Sequence, residues 1–332
     1  MTTILVAPDS FKGTFTSVQV AQFISSGIRE EGLTAIECPL ADGGEGTLDV
    51  LVHALKGEQK SQSVHGPFGQ EVIARWGWVA KQRLAIIEVA QVCGLHFSGC
   101  TPIDSIRAST VGVGELIISA AVFGAKKIIV ATGGSATTDG GQGAIDALLG
   151  AEETLTDVIV EVLSDVTVTF ENAANVFAPQ KGADTETIDI LNQRLESLAN
   201  DYAYRFGRDP RGIPQTGAAG GLSGALWAAF GAELFSGADY VLNLVGFDEL
   251  ANNADAVLLG EGRLDEQSFL GKIVGVAASR VHDRPVIAVV GSTSLEASEI
   301  ARLGVAHLSI ATNPGELHEI GGILSQWLTS QK

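Results

Sequence analysis

Basic residues are scarce in this chain: 21 lysines and arginines stand against 39 aspartates and glutamates, for a formal net charge of −18. A surface of that sign repels phosphate backbones and anionic lipid, and no local basic patch overrides it, so neither nucleic acid nor a membrane is expected as a partner. Cysteine is scarce too. Cys38, Cys93 and Cys100 are an odd set without CxxC spacing, which argues against a disulfide framework or a zinc site and for a reducing compartment, the cytoplasm. Met1 leads straight into ILVAP, with no basic flank and no apolar run of the length a signal peptide or membrane span needs. The absence of GxxxxGK[ST] disfavours a P-loop NTPase. A dehydrogenase is poorly supported, because no GxGxxG opens the first helix and GEGRLD is followed by no acidic strand end at the distance a ribose ligand needs. The six histidines show no HExxH or other ligand spacing, and Ser10 lacks the GxSxG elbow of a hydrolase.

What is present suits a large enzyme. At 332 residues the chain exceeds the usual size of one core, and 45% hydrophobic against 18% charged residues leaves ample material for burial, so two domains are expected. The central stretch is Lys126 to Ala147. There a run apolar on both faces (Ile128 to Ala131) breaks on Gly133-Gly134 and opens a helix behind Ser135, Thr137, Thr138 and Asp139. The unpaired N–H groups of such a helix start favour an anion. Strand, polar loop and helix alternate at both ends of the chain: TILVA, AIECPL, DAVLLG, PVIAVVG and HLSIA read as strands of a parallel sheet. From about Ser61 to Val89 the pattern changes to alternating stretches that read as antiparallel hairpins. The expectation is an α/β protein: a Rossmann- or flavodoxin-like parallel-sheet domain built from residues 1–62 and 249–332, and an inserted α/β domain containing antiparallel hairpins at 63–248. Further expectations are a helix from about Glu186 to Asn200, a Gly/Pro-rich linker over Gly207 to Gly221, and a polar loop from Glu261 to Ser268 ahead of a helix from Phe269 to Arg280.

In an open parallel sheet, ligands bind beyond the carboxyl ends of the strands. The chemically distinctive residues fall there: Asp9, Ser10 and Lys12 after the first strand, Asp42 and Glu45 after the second, and Glu261, Arg263 and Asp265 after the third of the outer domain. The inserted domain adds Gly133, Gly134, Ser135, Thr137 and Asp139 from its own strand end and Lys181 from the PQKGA loop; Lys272 is a further candidate. Acids, hydroxyls and a few cations on one rim suit phosphoryl transfer, in which cations and a divalent metal offset phosphate charge and carboxylates hold the metal or take the substrate proton. Helix capping alone would also account for Asp42 and Asp139, and solvation for Lys12, Lys181 and Lys272.

Taken together the loops resemble the type I glycerate kinase family, through APDSFKG (7–13), PLADGGEGT (39–47), VGVGELI (111–117), GGSATTDGG (133–141), PQKGA (179–183), GAAGGL (217–222) and GEGRLDEQS with its following GK (260–268, 271–272). The motifs occur in order over nearly the whole chain. The resemblance implies ATP-dependent phosphorylation of D-glycerate, with 2-phosphoglycerate the favoured product, Mg²⁺ as cofactor and a two-domain α/β fold with substrate in the cleft between the domains. On that reading Asp265 or Asp42 takes the hydroxyl proton or binds the metal. Lys12, Arg263, Lys181 or Lys272 offsets phosphoryl charge, Ser10, Glu45 and Glu261 contact substrate or phosphate, and the Gly133–Gly141 loop holds an anion. The chain departs from the family pattern in a shorter segment between Gly150 and Val158, in Ser164–Phe170, and at Val111 and Ala178. A kinase for a related hydroxy acid and a non-catalytic nucleotide- or metabolite-binding homologue are the alternatives, and a homodimer is compatible with the sequence.

Overall fold

A computed structural model describes residues 2–265, 268, 272–302 and 304–330. Its strands are β1 (Thr3–Pro8), β2 (Thr34–Glu37), β3 (Glu58–His65), β4 (Glu71–Val79), β5 (Leu84–Glu88), β6 (Lys127–Ala131), β7 (Ile159–Leu163), β8 (Glu233–Phe235), β9 (Ala256–Leu264), β10 (Val286–Thr293) and β11 (Val305–Ile310). They form two sheets in two compact units, Met1–Asp42 with Ala238–Lys332, and Gly43–Gly237.

The first unit is a five-stranded, wholly parallel sheet in the order β11-β10-β9-β1-β2. Counted within the unit this is 2-1-3-4-5, the flavodoxin order, and it reverses between β1 and β9. Both strands at that switch point are buried on both faces: Ile4, Leu5, Val6 and Ala7 of β1 and Val257 and Leu258 of β9 have no exposed surface, as continuous apolar runs require. Alternate residues feed two cores, one around Ile4, Val6 and Leu258 and one around Leu5, Ala7 and Val257. The helix Ser17–Glu30 starts on a capping box in which Thr16 accepts from Gln19 N–H and the Gln19 side chain accepts from Thr16 N–H. It crosses Pro314–Ser330 at Gly27 and Gly321, where the backbones nearly touch: a Cβ on Gly27 would lie 1.8 Å from the His318 carbonyl oxygen.

The second unit is a six-stranded sheet in the order β3-β4-β5-β6-β7-β8. β3 to β5 are antiparallel neighbours, as the alternation predicts, and β5 to β8 are parallel. Residues 43–62 group with this unit rather than with the chain ends. Leu48 and Val52 of the helix Thr47–Ala54 lie on β4, so close that a Cβ on Gly77 would be 2.6 Å from a Val52 methyl. Conversely 238–248 belong with the first unit, because Ala238, Leu242 and Phe247 bury into its core beside Leu5 and Val257.

Three local expectations change. The stretch 207–221 is a packed loop, not a linker: Thr216 is buried and its hydroxyl donates to the Ile213 carbonyl at 2.6 Å, while Ala218–Gly221 are buried. The helix after β6 starts only at Gln142, since 132–141 form a long buried loop. β9 continues through Glu261, Gly262 and Arg263 to Leu264, held by register with Val290, Ser292 and Thr293 of β10. The following helix runs over Ile273–Arg280; the earlier start expected at Phe269 falls outside the described residues.

Candidate active site

At the switch point of the first unit, a pocket of about 430 Å³ opens at the carboxyl ends of β1 and β9. The chain leaves β1 into a tight turn. Asp9 N–H donates to the Gly260 carbonyl at 2.7 Å, and Phe11 and Phe15 close the turn through reciprocal backbone bonds of 2.9 and 3.0 Å. The Phe11 ring is buried in the core below, which fixes the turn and leaves Lys12 at its exposed tip. β9 reaches the same place with Glu261, Gly262 and Arg263. Gly262 sits in a crowded place, because a Cβ there would meet Phe11 Cα at 3.1 Å and Lys12 N at 3.2 Å and the turn would have to give way slightly.

The pocket gathers Asp9, Ser10, Lys12, Asp42, Glu261, Arg263, Asp265 and Lys272. Asp265 lies 3.9 Å from the Arg263 Nε and 3.8 Å from the Lys272 Nζ, and its N–H donates to the Ser268 hydroxyl at 3.1 Å. It therefore holds the two exposed cations at the mouth. Deeper in, the carboxylates are crowded and short of water. Burial, then the neighbouring Asp42 and, less strongly, Glu261 push the Asp9 carboxyl up to about 7, although its Oδ1 accepts the Ser10 N–H at 2.6 Å. Burial pushes Glu261 up to about 7 as well, against the Ser268 hydrogen bond and Lys272 that lower it. Glu261 Oε1 is buried without a hydrogen-bond partner among the described residues. Hard carboxylate oxygens that repel one another suit Mg²⁺, which takes one or two protein carboxylates and leaves its other positions to water and phosphate. Among the described residues, no group of three or more His, Cys, Asp or Glu side chains is placed to hold a metal ion.

The other candidates lie in the second unit. Asp139 is buried at the start of the helix Gln142–Leu149. Its carboxylate accepts N–H bonds from Gly141, Gly143 and Thr110 at 3.1, 3.2 and 2.8 Å, and the Thr110 hydroxyl at 2.8 Å. Asp139 is thus an anchor for that helix start. Lys181, 2% exposed, reaches under the 132–141 loop, where its ammonium donates to the Thr137 carbonyl at 2.5 Å and the Ser135 hydroxyl at 3.3 Å. Burial lowers its pKa to about 8. The GAAGGL segment backs the same loop: Gly140 N–H donates to the Gly220 carbonyl at 3.0 Å, and a Cβ on Gly220 would lie 2.1 Å from the Thr137 oxygen. Gly133 meets the 43–47 loop, its would-be Cβ 2.5 Å from Gly44 Cα, while Glu45 is exposed on that loop. The sequence candidates therefore fall into two groups, an ionic pocket at the β1 and β9 ends and a buried, glycine-rich loop pair at the β5 and β6 ends.

Two residues have more to do than the sequence suggests. Asp9 reads as one acid of the polar loop after the first strand, and the sequence gives it no separate role. Glu88, 1% exposed at the end of β5, reads as the last residue of an apolar strand; a lone acid in LAIIEV is the one available signal. Its Oε2 accepts the N–H groups of Gly46 and Leu48 at 3.0 and 3.2 Å, and burial pushes it up to about 7.

The chain matches the glycerate kinase family over residues 4–153 and 149–331, two stretches that overlap at 149–153. It is 38% identical to a glycerate kinase of Halalkalibacterium halodurans over 326 residues, covering 88% of this chain and 86% of that protein. It is 35% identical to a glycerate 2-kinase of Escherichia coli K12 over 351 aligned residues, covering 95% and 92%. A crystal structure from Salmonella typhimurium LT2, provisionally assigned as glycerate kinase 2, superposes with a TM-score of 0.85 at 31% identity over 99% of both chains. The chain belongs to the glycerate kinase family and is a phosphotransferase acting on an alcohol group.

Proposed function

We propose that the protein is a cytoplasmic enzyme that phosphorylates D-glycerate from ATP with Mg²⁺, giving 2-phosphoglycerate. The observation that carries this reading is the β1/β9 pocket, where, among the described residues, three cations and four carboxylates stand at the switch point of a flavodoxin-ordered sheet. Lys12, Arg263 and Lys272 offset the charge of the phosphate chain, and Asp265 holds the last two in place. Asp9 and Asp42 would hold Mg²⁺, whose charge would offset the burial and the Asp42 repulsion that raise Asp9. Mg²⁺ bound there supplies neutralisation of the phosphate oxygens. Glu261, with a buried oxygen that has no hydrogen-bond partner among the described residues and a pKa near the working pH, takes the proton of the substrate hydroxyl. Asp265 accordingly has a positioning role here, in place of the base or metal-ligand role that the motif suggests.

The test is a coupled assay of the purified protein with ATP, Mg²⁺ and a panel of small hydroxy acids, with the product identified by NMR. Turnover on D-glycerate with phosphate on O2 is expected. Turnover confined to another hydroxy acid, or nucleotide binding without ADP formation, rejects the assignment.

A further inference from the structure

Two glycine-rich loops of the second unit meet in a contact too close for side chains, and a buried carboxylate, Glu88, is tied to both. The 43–47 loop is wedged at successive residues. A Cβ on Gly43, which has φ +86°, would lie 3.1 Å from Leu163 Cβ, and Gly44 faces Gly133 of the second loop. Gly46, with φ +93°, turns the chain into the helix Thr47–Ala54 without any side-chain cap of its own. The cap comes from elsewhere. Glu88, forty residues on by sequence and last in β5, accepts the Gly46 and Leu48 N–H groups on one oxygen. Glu88 pairs in register with Ala131, the last residue of β6 before the Gly133 loop, so one residue is tied to both loops.

Its own orientation is set from behind. The Gln91 amide donates to Glu88 Oε1 at 3.4 Å, and Arg75 donates to the Gln91 oxygen at 3.3 Å and to Asp49 of the capped helix at 3.4 Å. A carboxylate at a helix N-terminus satisfies orphan donors and is favoured by their potential. An ordinary Ser or Asp cap is not open to position 46, whose φ of +93° is strained for a residue with a Cβ. Placing the acceptor at a strand end makes the loop's position depend on the sheet.

We propose that Glu88 is a positioning residue for the phosphotransfer reaction: by capping Gly46 and Leu48 from the end of β5, it fixes the 43–47 loop against the Gly133–Ser135 loop, so that both are in place before substrate arrives. For its effect on rate the inference rests on the kinase reading together with the expectation, implied by the family resemblance, that Glu45 and the Gly133–Gly141 loop contact substrate or phosphate; for its effect on the loop it rests on geometry alone. The two parts have separate readouts. In the full-length apoprotein, hydrogen exchange of the 43–48 amides is compared between wild type and Glu88→Ala; exchange about tenfold or more faster in that segment, with the remainder unchanged, is expected. In the assay, Glu88→Ala lowers kcat/KM for glycerate about 10- to 100-fold, the scale of a misplacement near 1 Å. Glu88→Gln restores most of it, because an amide oxygen can take the place of Oε2 while its NH₂ faces a turned Gln91. Where Glu88→Ala does not fold, Glu88→Asp keeps the charge but withdraws the acceptor by one methylene, and the same two results are expected.

Unchanged exchange at 43–48 overturns the proposal whatever the enzyme's substrate. Faster exchange with a wild-type kcat/KM overturns the catalytic half, as does a Gln variant no better than Ala. A wild type inactive on every acid in the panel is a failure of the kinase reading, visible before any variant is made, and the exchange contrast then still decides whether Glu88 holds the loop.

Discussion

Glu261 puts a buried carboxyl where solvation is poor, and that has opposite consequences for stability and for rate. Its pKa in the folded protein is about 7, above the ordinary value of 4.5. The folded state therefore binds more protons than the unfolded chain between these values, and stability falls as pH rises through that window. The cost is absent below about pH 4.5 and complete above about 7. Glu261→Gln removes the charge at nearly constant shape, so it should stabilise the apoprotein by about 1–2 kcal/mol at pH 8 and leave it unchanged at pH 4.5. Thermal melts at the two pH values check the sign. If Glu261 takes the substrate proton, the same variant loses about 10²- to 10⁴-fold in kcat, and wild-type turnover rises with pH up to about 7 and then levels. A variant that is stabilised at pH 8 but fully active would remove Glu261 from the chemistry. One that is destabilised equally at both pH values would mean the carboxylate is satisfied in the folded protein.

At the scale of elements, glycines set how near two backbones come, and their substitution separates site geometry from fold. Gly291 of β10 lies beside Gly262 of β9, and a Cβ on Gly291 would stand 2.6 Å from the Gly262 carbonyl oxygen. Gly262 in turn touches the Phe11–Lys12 turn, so Gly291→Ala must push the β9 end toward the pocket. A modest stability loss of about 1–3 kcal/mol from overpacking and a fall of at least about tenfold in kcat/KM are expected together. Gly27→Ala strikes the crossing of Ser17–Glu30 with Pro314–Ser330, where backbone rather than a flexible side chain blocks the methyl. A larger loss of stability, about 3 kcal/mol or more, is expected there. The fraction that still folds should keep near-normal kcat. Denaturant melts paired with kinetics at 15 °C read both variants, and a Gly291→Ala enzyme with wild-type kcat/KM would uncouple β10 from the pocket. The strands themselves were legible, because runs such as TILVA and DAVLLG can only be buried on both faces. The end of β9 was not: Glu261 and Arg263 look like loop residues until the partner register on β10 is known. Glu88 was hidden for a related reason, since its partners Gly46 and Leu48 lie 42 and 40 residues away and no local period marks it; Lys181 was legible as a candidate, but not its burial against Thr137 and Ser135, 44 and 46 residues away.

For the whole molecule, the net charge of −18 and the anionic substrates of the proposed reaction act against each other. Long-range repulsion slows the approach of anions, and it is screened beyond about 10 Å at 0.1 M salt. Inside the pocket the balance is different. Lys12, Arg263 and Lys272 face Asp9, Asp42, Glu261 and Asp265, so once Asp9 and Glu261 ionise above pH 7 the described residues of the site carry one more negative than positive charge. A free triphosphate would then be poorly received, whereas the same nucleotide with its divalent ion would neutralise the Asp9–Asp42 pair as it bound. Chelation with EDTA should therefore abolish turnover at pH 8 and restoration of Mg²⁺ should return it. ATP alone should bind at least about tenfold more weakly than with Mg²⁺, and calorimetry can read this without any turnover. Raising salt from about 0.02 to 0.2 M should increase kcat/KM severalfold at pH 8 if the overall field dominates. A decrease over that range would instead mean that the exposed cations at the pocket mouth, Lys12, Arg263 and Lys272, govern capture. Charge reversal of distant surface acids to lysine separates the two: it raises kcat/KM at low salt only where the long-range field limits encounter.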